Sequence, residues 1–146
     1  MGVIEKFERK LKELKASINK GIQTSIDTNK AILIEKQTGQ FDKGKDADNT
    51  SFVPSYALST KQAKRRKGQP TNRVTLKDSG DLYGSIDIQA NTTQAIITAN
   101  VEYYKYLVVH YDKNTILGIQ DDIMEAFLVR YTLAEIEKNF KAIIKA

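Results

Sequence analysis

Apolar residues in the first third of the chain fall at Ile4, Phe7, Leu11, Leu14, Ile18, Ile22 and Ile26, in steps of three and four. That period gathers them on one face of a helix and leaves the intervening charges on the other. The same pattern returns at the far end with Ile123, Phe127, Leu128, Tyr131, Leu133, Ile136, Phe140, Ile143 and Ile144. There Asp121 and Asp122 stand where a helix N-terminus favours negative charge. A chain of 146 residues that begins and ends on long amphipathic helices has room for one ordinary domain, in which a small sheet shares the core.

The first helix need not be continuous. Gly21 costs a helix interior about 1 kcal/mol relative to Ala. Thr24, Ser25, Thr28 and Asn29 are poor helix formers, which leaves room for a break between Gly21 and Asn29 before Lys30–Lys36 resumes with Ile32 and Leu33. From Thr38 to Asn72 the period disappears into Gly39, Gly44, Asp42, Asp46, Asp48, Asn49, Pro54, Gly68 and Pro70. A loop of this length inside a compact domain is uncommon without a binding or assembly role. Within it, Ser59 and Thr60 are suited to cap one or two helical turns through Lys67.

Val74–Leu76 is a short β-prone piece and Asp78-Ser79-Gly80-Asp81 a turn, with Gly80 suited to positive φ. Leu82 and Ile86 follow as residues that bury against a sheet. Ile86-Asp87-Ile88 begins an alternating strand, Asn91-Thr92-Thr93 a hairpin turn, and Ala95–Val101 a second strand, which gives a hairpin or meander. Tyr103–Tyr111 is compatible with helix or strand, and a short helix is preferred. The expected fold is α+β: long N- and C-terminal helices on a small antiparallel sheet, with a long central loop. It is read as a single domain over 1–146, helical over 1–37, an extended loop with a short basic helix over 38–73, a β-hairpin or meander over 74–102 and mainly helical over 103–146.

Composition narrows the chemistry. The chain is 40% hydrophobic and 28% charged with two prolines, which suits a folded chain rather than a disordered one. Lacking cysteine, it has no thiolate for a disulfide, a metal or nucleophilic catalysis. The N-terminal stretch holds no continuous apolar run for a signal peptide or membrane span, so synthesis and retention in the cytosol are expected. The sole histidine, His110, has no second histidine or cysteine to work with and reads as a packed or hydrogen-bonded side chain. Asp42–Asn49 is faintly like a calcium loop, but lysines alternate with the acids and no glutamate closes it, so a turn is favoured. No catalytic residue, metal ligand or cofactor site is expected.

Two clusters suggest contact surfaces. Lys64, Arg65, Arg66 and Lys67, with Lys61 just upstream, form a basic run within a chain of net charge +5. This suits an acidic protein partner or transient contact with DNA. Tyr103, Tyr104 and Tyr106 concentrate aromatic area suited to core packing or to a subunit interface.

The order of these pieces resembles the virion-morphogenesis and tail-completion proteins of tailed bacteriophages. The central match is Leu76-Lys77-Asp78-Ser79-Gly80-Asp81-Leu82-Tyr83-Gly84-Ser85-Ile86, similar to that family's leucine, serine or threonine with glycine, leucine and serine pattern. Gly44–Asp48 and Ser55–Lys67 resemble its glycine turn and short basic helix. Val101–His110 resembles its tyrosine-to-histidine segment, and Ile116-Leu117-Gly118-Ile119 the approach to its last helix; Tyr111-Asp112 departs from a glycine usually found there. The resemblance implies a non-enzymatic structural protein of the virion: a head-to-tail connector, neck or tail-completion subunit made in the bacterial cytoplasm. It also implies a homo-oligomeric ring, sixfold or twelvefold, with portal and tail proteins as partners and no membrane. In that frame the Thr38–Asn72 loop is expected to be mobile until it orders on a neighbour. The alternative is a DNA-binding accessory protein of a phage or mobile element.

Overall fold

A computed structural model describes residues 2–145. The fold is α+β, predominantly helical with one small two-stranded antiparallel sheet. Helices α1 (Val3–Thr28) and α2 (Lys30–Asp42) are followed by α3 (Leu58–Arg66) and the short α4 (Asp81–Gly84). Strands β1 (Ile86–Ala90) and β2 (Ala95–Ala99) come next, then α5 (Tyr104–Tyr111), α6 (Asp121–Phe127), a π-helical turn over Leu128–Thr132, and α7 (Leu133–Lys145). The chain gathers into two compact units. One takes α1, the hairpin tip Gln89–Ile96 and the chain from Met124 onward; the other takes Ala31–Ile88 and Ile97–Ile123.

In the first unit α1 and α7 run antiparallel. Lys10 Nζ donates to Ile143 O at 3.3 Å, and the Ser25 and Thr132 hydroxyls meet at 2.6 Å, so numbers rise along α1 as they fall along the C-terminal helix. Gly21 does not break α1. A Cβ there would stand 3.1 Å from Ile136 Cγ1, so the missing side chain permits a close helix crossing whose packing offsets the propensity cost. The break falls at Asn29, whose backbone N–H and Nδ2 both donate to Ser25 O, at 3.1 and 2.8 Å. The expected single C-terminal helix is corrected: the π turn interrupts it and buries Thr132 beside Ser25. A wider turn of this kind resets the helix face without ending the helix.

The second unit holds an aromatic core. Phe41, Phe52, Val74, Leu76, Leu82, Ile86, Tyr111 and Ile116 are all buried together. Phe52 sits between Phe41 at 6.2 Å and Tyr111 at 5.4 Å between ring centroids, within the range for favourable edge and tilted pairs. Helix α2 runs past the expected boundary at Gln37 to Asp42 and ends in a Schellman cap. Gly44 N–H donates to Phe41 O at 2.8 Å and Lys45 N–H to Gln40 O at 2.9 Å, with Gly44 at φ +70°. This cap needs a left-handed residue, which glycine supplies without strain.

Val74–Leu76 pairs with no strand among the described residues, and Leu76 turns out of the extended region at φ +56°. The Tyr56 hydroxyl oxygen takes the place of a neighbouring carbonyl, accepting the N–H groups of Thr75 and Leu76 at 3.0 and 3.1 Å. At the following turn Gly80 adopts φ +99°, as its sequence context predicts, and Leu82, Ile86 and Ile88 bury. The hairpin closes on Asn91, whose Oδ1 accepts from Thr93 N, Thr93 Oγ1 and Gln94 N at 2.8 to 2.9 Å. Tyr104–Tyr111 forms the preferred short helix.

Candidate functional site

The long loop after α2 is wired into the second unit. Asp46, at 1% exposure, receives Asp48 N and Thr50 N on Oδ1 at 3.1 and 2.8 Å. Its Oδ2 receives Thr50 Oγ1, Thr115 Oγ1 and Lys113 Nζ at 2.8, 2.9 and 2.7 Å. Burial alone raises a carboxyl pKa, but here the Lys113 ammonium and the Thr50 and Thr115 donors overcome it and hold Asp46 down at about 2. Asp42–Asn49 is thus a turn whose central carboxylate is spent on internal donors. Among the described residues no group of three His, Asp or Glu is placed to hold a metal ion. Within the loop expected to stay mobile until assembly, Asp46 and Phe52 are both buried in the unit's own interior.

A second polar device faces it. Gln37 and Gln40, one turn apart on α2, are buried at 0% and 2%. Gln37 Oε1 accepts Gly118 N at 2.8 Å while its Nε2 donates to Ile116 O at 3.5 Å. Gln40 Nε2 donates to Gly118 O at 2.8 Å and its Oε1 accepts Gln120 N at 2.9 Å. Two side-chain amides therefore do for Ile116–Gln120 what a neighbouring strand would do, supplying alternate donors and acceptors to its backbone. Gln120 Nε2 in turn donates to Asp46 O at 3.1 Å, which joins the two devices. Sequence reasoning missed both, since a glutamine at a helix position reads as a solvent-facing residue.

The basic run is only partly a surface. Lys64 is 4% exposed, donates to Lys77 O and to Gln69 Oε1, and lies 4.6 Å from the centre of the Tyr56 ring. Its assignment to a partner-facing set is corrected: the ammonium clamps the stretch after α3 to that helix. Lys67 is exposed but paired with Asp78. Arg65 and Arg66 point their charge outward at the end of α3. Ser79, beside Asp78, accepts Asp81 N on its Oγ at 3.3 Å.

The tyrosines of α5 and its N-cap, Tyr103, divide in the same manner. Tyr104 packs against the aromatic core, and burial raises its pKa. Tyr103 and Tyr106 are 41% and 64% exposed and Val109 is 79% exposed, at a spacing of three that lines one side of the helix. His110 adjoins this stripe at an exposed position, edge-on to Tyr111 at 4.7 Å. The stripe is an apolar and phenolic surface on a helix whose opposite side is fixed in a core, a composition suited to protein contact. Comparison with protein-family models, with curated proteins and with solved structures finds no match to this chain.

Proposed function

We propose that the chain is a structural virion protein of a tailed bacteriophage, a subunit of a head-to-tail connector, neck or tail-completion ring that works by contact and carries out no chemistry. The observation that carries this reading is the outward Tyr103–Tyr106–Val109 stripe on a helix anchored by Tyr104 and Tyr111, within the very segment that resembles the family's tyrosine-to-histidine stretch. Rigid aromatic area held out to solvent offers contact energy at little cost in conformational entropy. The Asp46 and glutamine devices favour a preformed surface over one that orders on binding, which lowers the entropic cost of assembly. Arg65 and Arg66 remain as cations for an acidic neighbour. With Lys64 buried and Lys67 paired, the DNA-binding alternative has two free charges in this run, few for a phosphate-tracking site.

Deletion of the gene from the phage genome that carries it tests the reading. Electron microscopy of the lysate is expected to show filled heads and tails unjoined, with infectivity restored by the wild-type chain and not by Tyr106→Asp. Normal infectious particles from the deletion would overturn it.

A further inference from the structure

The first unit leaves an apolar face open. In α1, Ile4, Phe7, Leu11 and Ile18 are 73%, 64%, 49% and 40% exposed, and in α7, Leu133, Phe140 and Ile144 are 55%, 42% and 57% exposed. Helix α7 has no fully buried residue, and in α1 the buried positions begin only at Gly21. Ile4, Phe7, Leu11, Leu14, Ile18 and Gly21 follow an alternating three-and-four spacing, the seam of a helix that packs against other helices along its length.

These side chains form one surface. If Gly21 marks the side of α1 that meets α7, then Ile4, Phe7, Leu11 and Ile18 lie roughly 40–100° round from it in one sense, at about 100° per residue. If Asn139, which also lies beside Gly21, marks the facing side of α7, then Leu133, Phe140 and Ile144 lie roughly 100–140° round in the same sense. Because the helices are antiparallel, the same sense on both means the same side of the pair. The opposite side is an open groove where Ser17, Lys20, Thr24, Glu135 and Asn139 stand among the small Ala16 and Ala142, with Ile143 as its one large apolar side chain. A helix pair whose large exposed apolar side chains gather on one side has the form of half a four-helix bundle.

We infer that a second copy of this chain covers the face, in a two-fold arrangement that stacks the α1–α7 pairs of two copies into a four-helix bundle. Charge selects this occupant. Glu8 and Lys15 are exposed, one heptad apart on the same edge of the seam with Leu11 between them, and no ion pair holds either among the described residues. A two-fold axis passing near Leu11 sets antiparallel α1 helices side by side and brings Glu8 of each copy to Lys15 of the other. The pairing is reciprocal, as an isologous contact requires. The size sets its strength: at 1.5 Å per residue and about 10 Å per helix, the two-helix face covers roughly 400 Å² over the length of α7, so two copies bury about 800 Å², the area of a weak, reversible contact. This inference rests on the first unit alone and is independent of the virion reading.

Light scattering on the full chain, titrated from about 10 µM to about 1 mM, is expected to rise to twice the 16.5 kDa chain mass. Leu11→Glu, at a position half exposed and so free of a folding role, is expected to give a monomer with unchanged circular dichroism. Glu8→Lys is expected to weaken association about tenfold, and adding Lys15→Glu to restore it, because the swap exchanges partners across the axis. A monomeric wild type, a dimer that survives Leu11→Glu, or a charge swap that fails to rescue would each overturn the inference. So would a larger ring dissolved by Leu11→Glu, which gives the face to a head-to-tail contact. A monomer that sediments with vesicles of anionic lipid would give it to a membrane surface instead.

Discussion

Five donors converge on the two oxygens of Asp46, so the charge of that carboxylate fixes the turn after α2. Its pKa in the fold, about 2, lies below the ordinary 3.8. A depressed carboxyl pKa stabilises the fold above the unfolded-state value and loses that contribution as pH falls through the folded one. The window is therefore pH 4 down to 2, and the contribution lost is about 2 kcal/mol at 1.36 kcal/mol per unit. Asp46→Ala is expected to cost about 3 kcal/mol at neutral pH in urea unfolding, since Lys113 and both threonines lose their acceptor. It is also expected to flatten the acid limb of the stability curve between those pH values; an unchanged limb would count against the role of Asp46. Lys64 makes a parallel case. Lys64→Ala is expected to cost about 2 kcal/mol, whereas Arg65→Ala and Arg66→Ala stay within about 0.5 kcal/mol. A measured order in which the arginines cost more than the lysine would reverse the assignment. Neither Asp46 nor Lys64 was legible as an interior residue, because a charge in the sequence defaults to the surface and only a set of distant donors reverses that.

Among the elements, those with a period were legible and those with borrowed partners were not. The spacing of Ile4 through Ile26 and of Leu133 through Ile144 marks α1 and α7 because packing one side of a helix leaves a repeat of three and four. The Ser79-Gly80 bend and the Asn91 hairpin were legible for a different reason: positive φ and side-chain-to-backbone bonds demand particular residue types. The π turn at Leu128–Thr132 leaves no such trace, since one extra residue in a turn preserves the apolar composition of the segment. Ile116–Gln120 and Val74–Leu76 escape as well, their backbone partners being side chains brought from α2 and from Tyr56. These borrowed partners make a sharp test. Gln40→Leu preserves the volume and helix propensity of the side chain yet strips Gly118 O and Gln120 N of their partners, at an expected cost of about 2 kcal/mol. Gln40→Glu keeps an acceptor for Gln120 N but sets carboxylate against carbonyl at Gly118, so it is expected to cost more than the leucine. Chemical unfolding of the pair gives the order, and a glutamate variant as stable as wild type would remove the strand-like role from the glutamines.

At the scale of the whole molecule the two units are built on different terms. The second closes on its own aromatic core, cross-braced by the Asp46 and glutamine devices. The first has an α7 with no buried side chain and an α1 whose first turns are exposed along their apolar side. Amide exchange protection follows burial and the cooperative unit to which a hydrogen bond belongs. In a chain held monomeric by Leu11→Glu, amides of residues 3–18 and 133–145 are therefore expected to exchange with low protection, while those of residues 86–88, α5 and the Phe41–Phe52 region open only with their own unit. In the wild type at concentrations where a second copy covers the apolar face, the terminal helices are expected to gain protection by the free energy of association, with the aromatic unit unchanged. Mass-resolved exchange as a function of protein concentration separates these contributions. Terminal helices protected equally in the monomeric variant and in the concentrated wild type would mean that α1 and α7 are stable without a covering partner, and that their apolar face is idle surface.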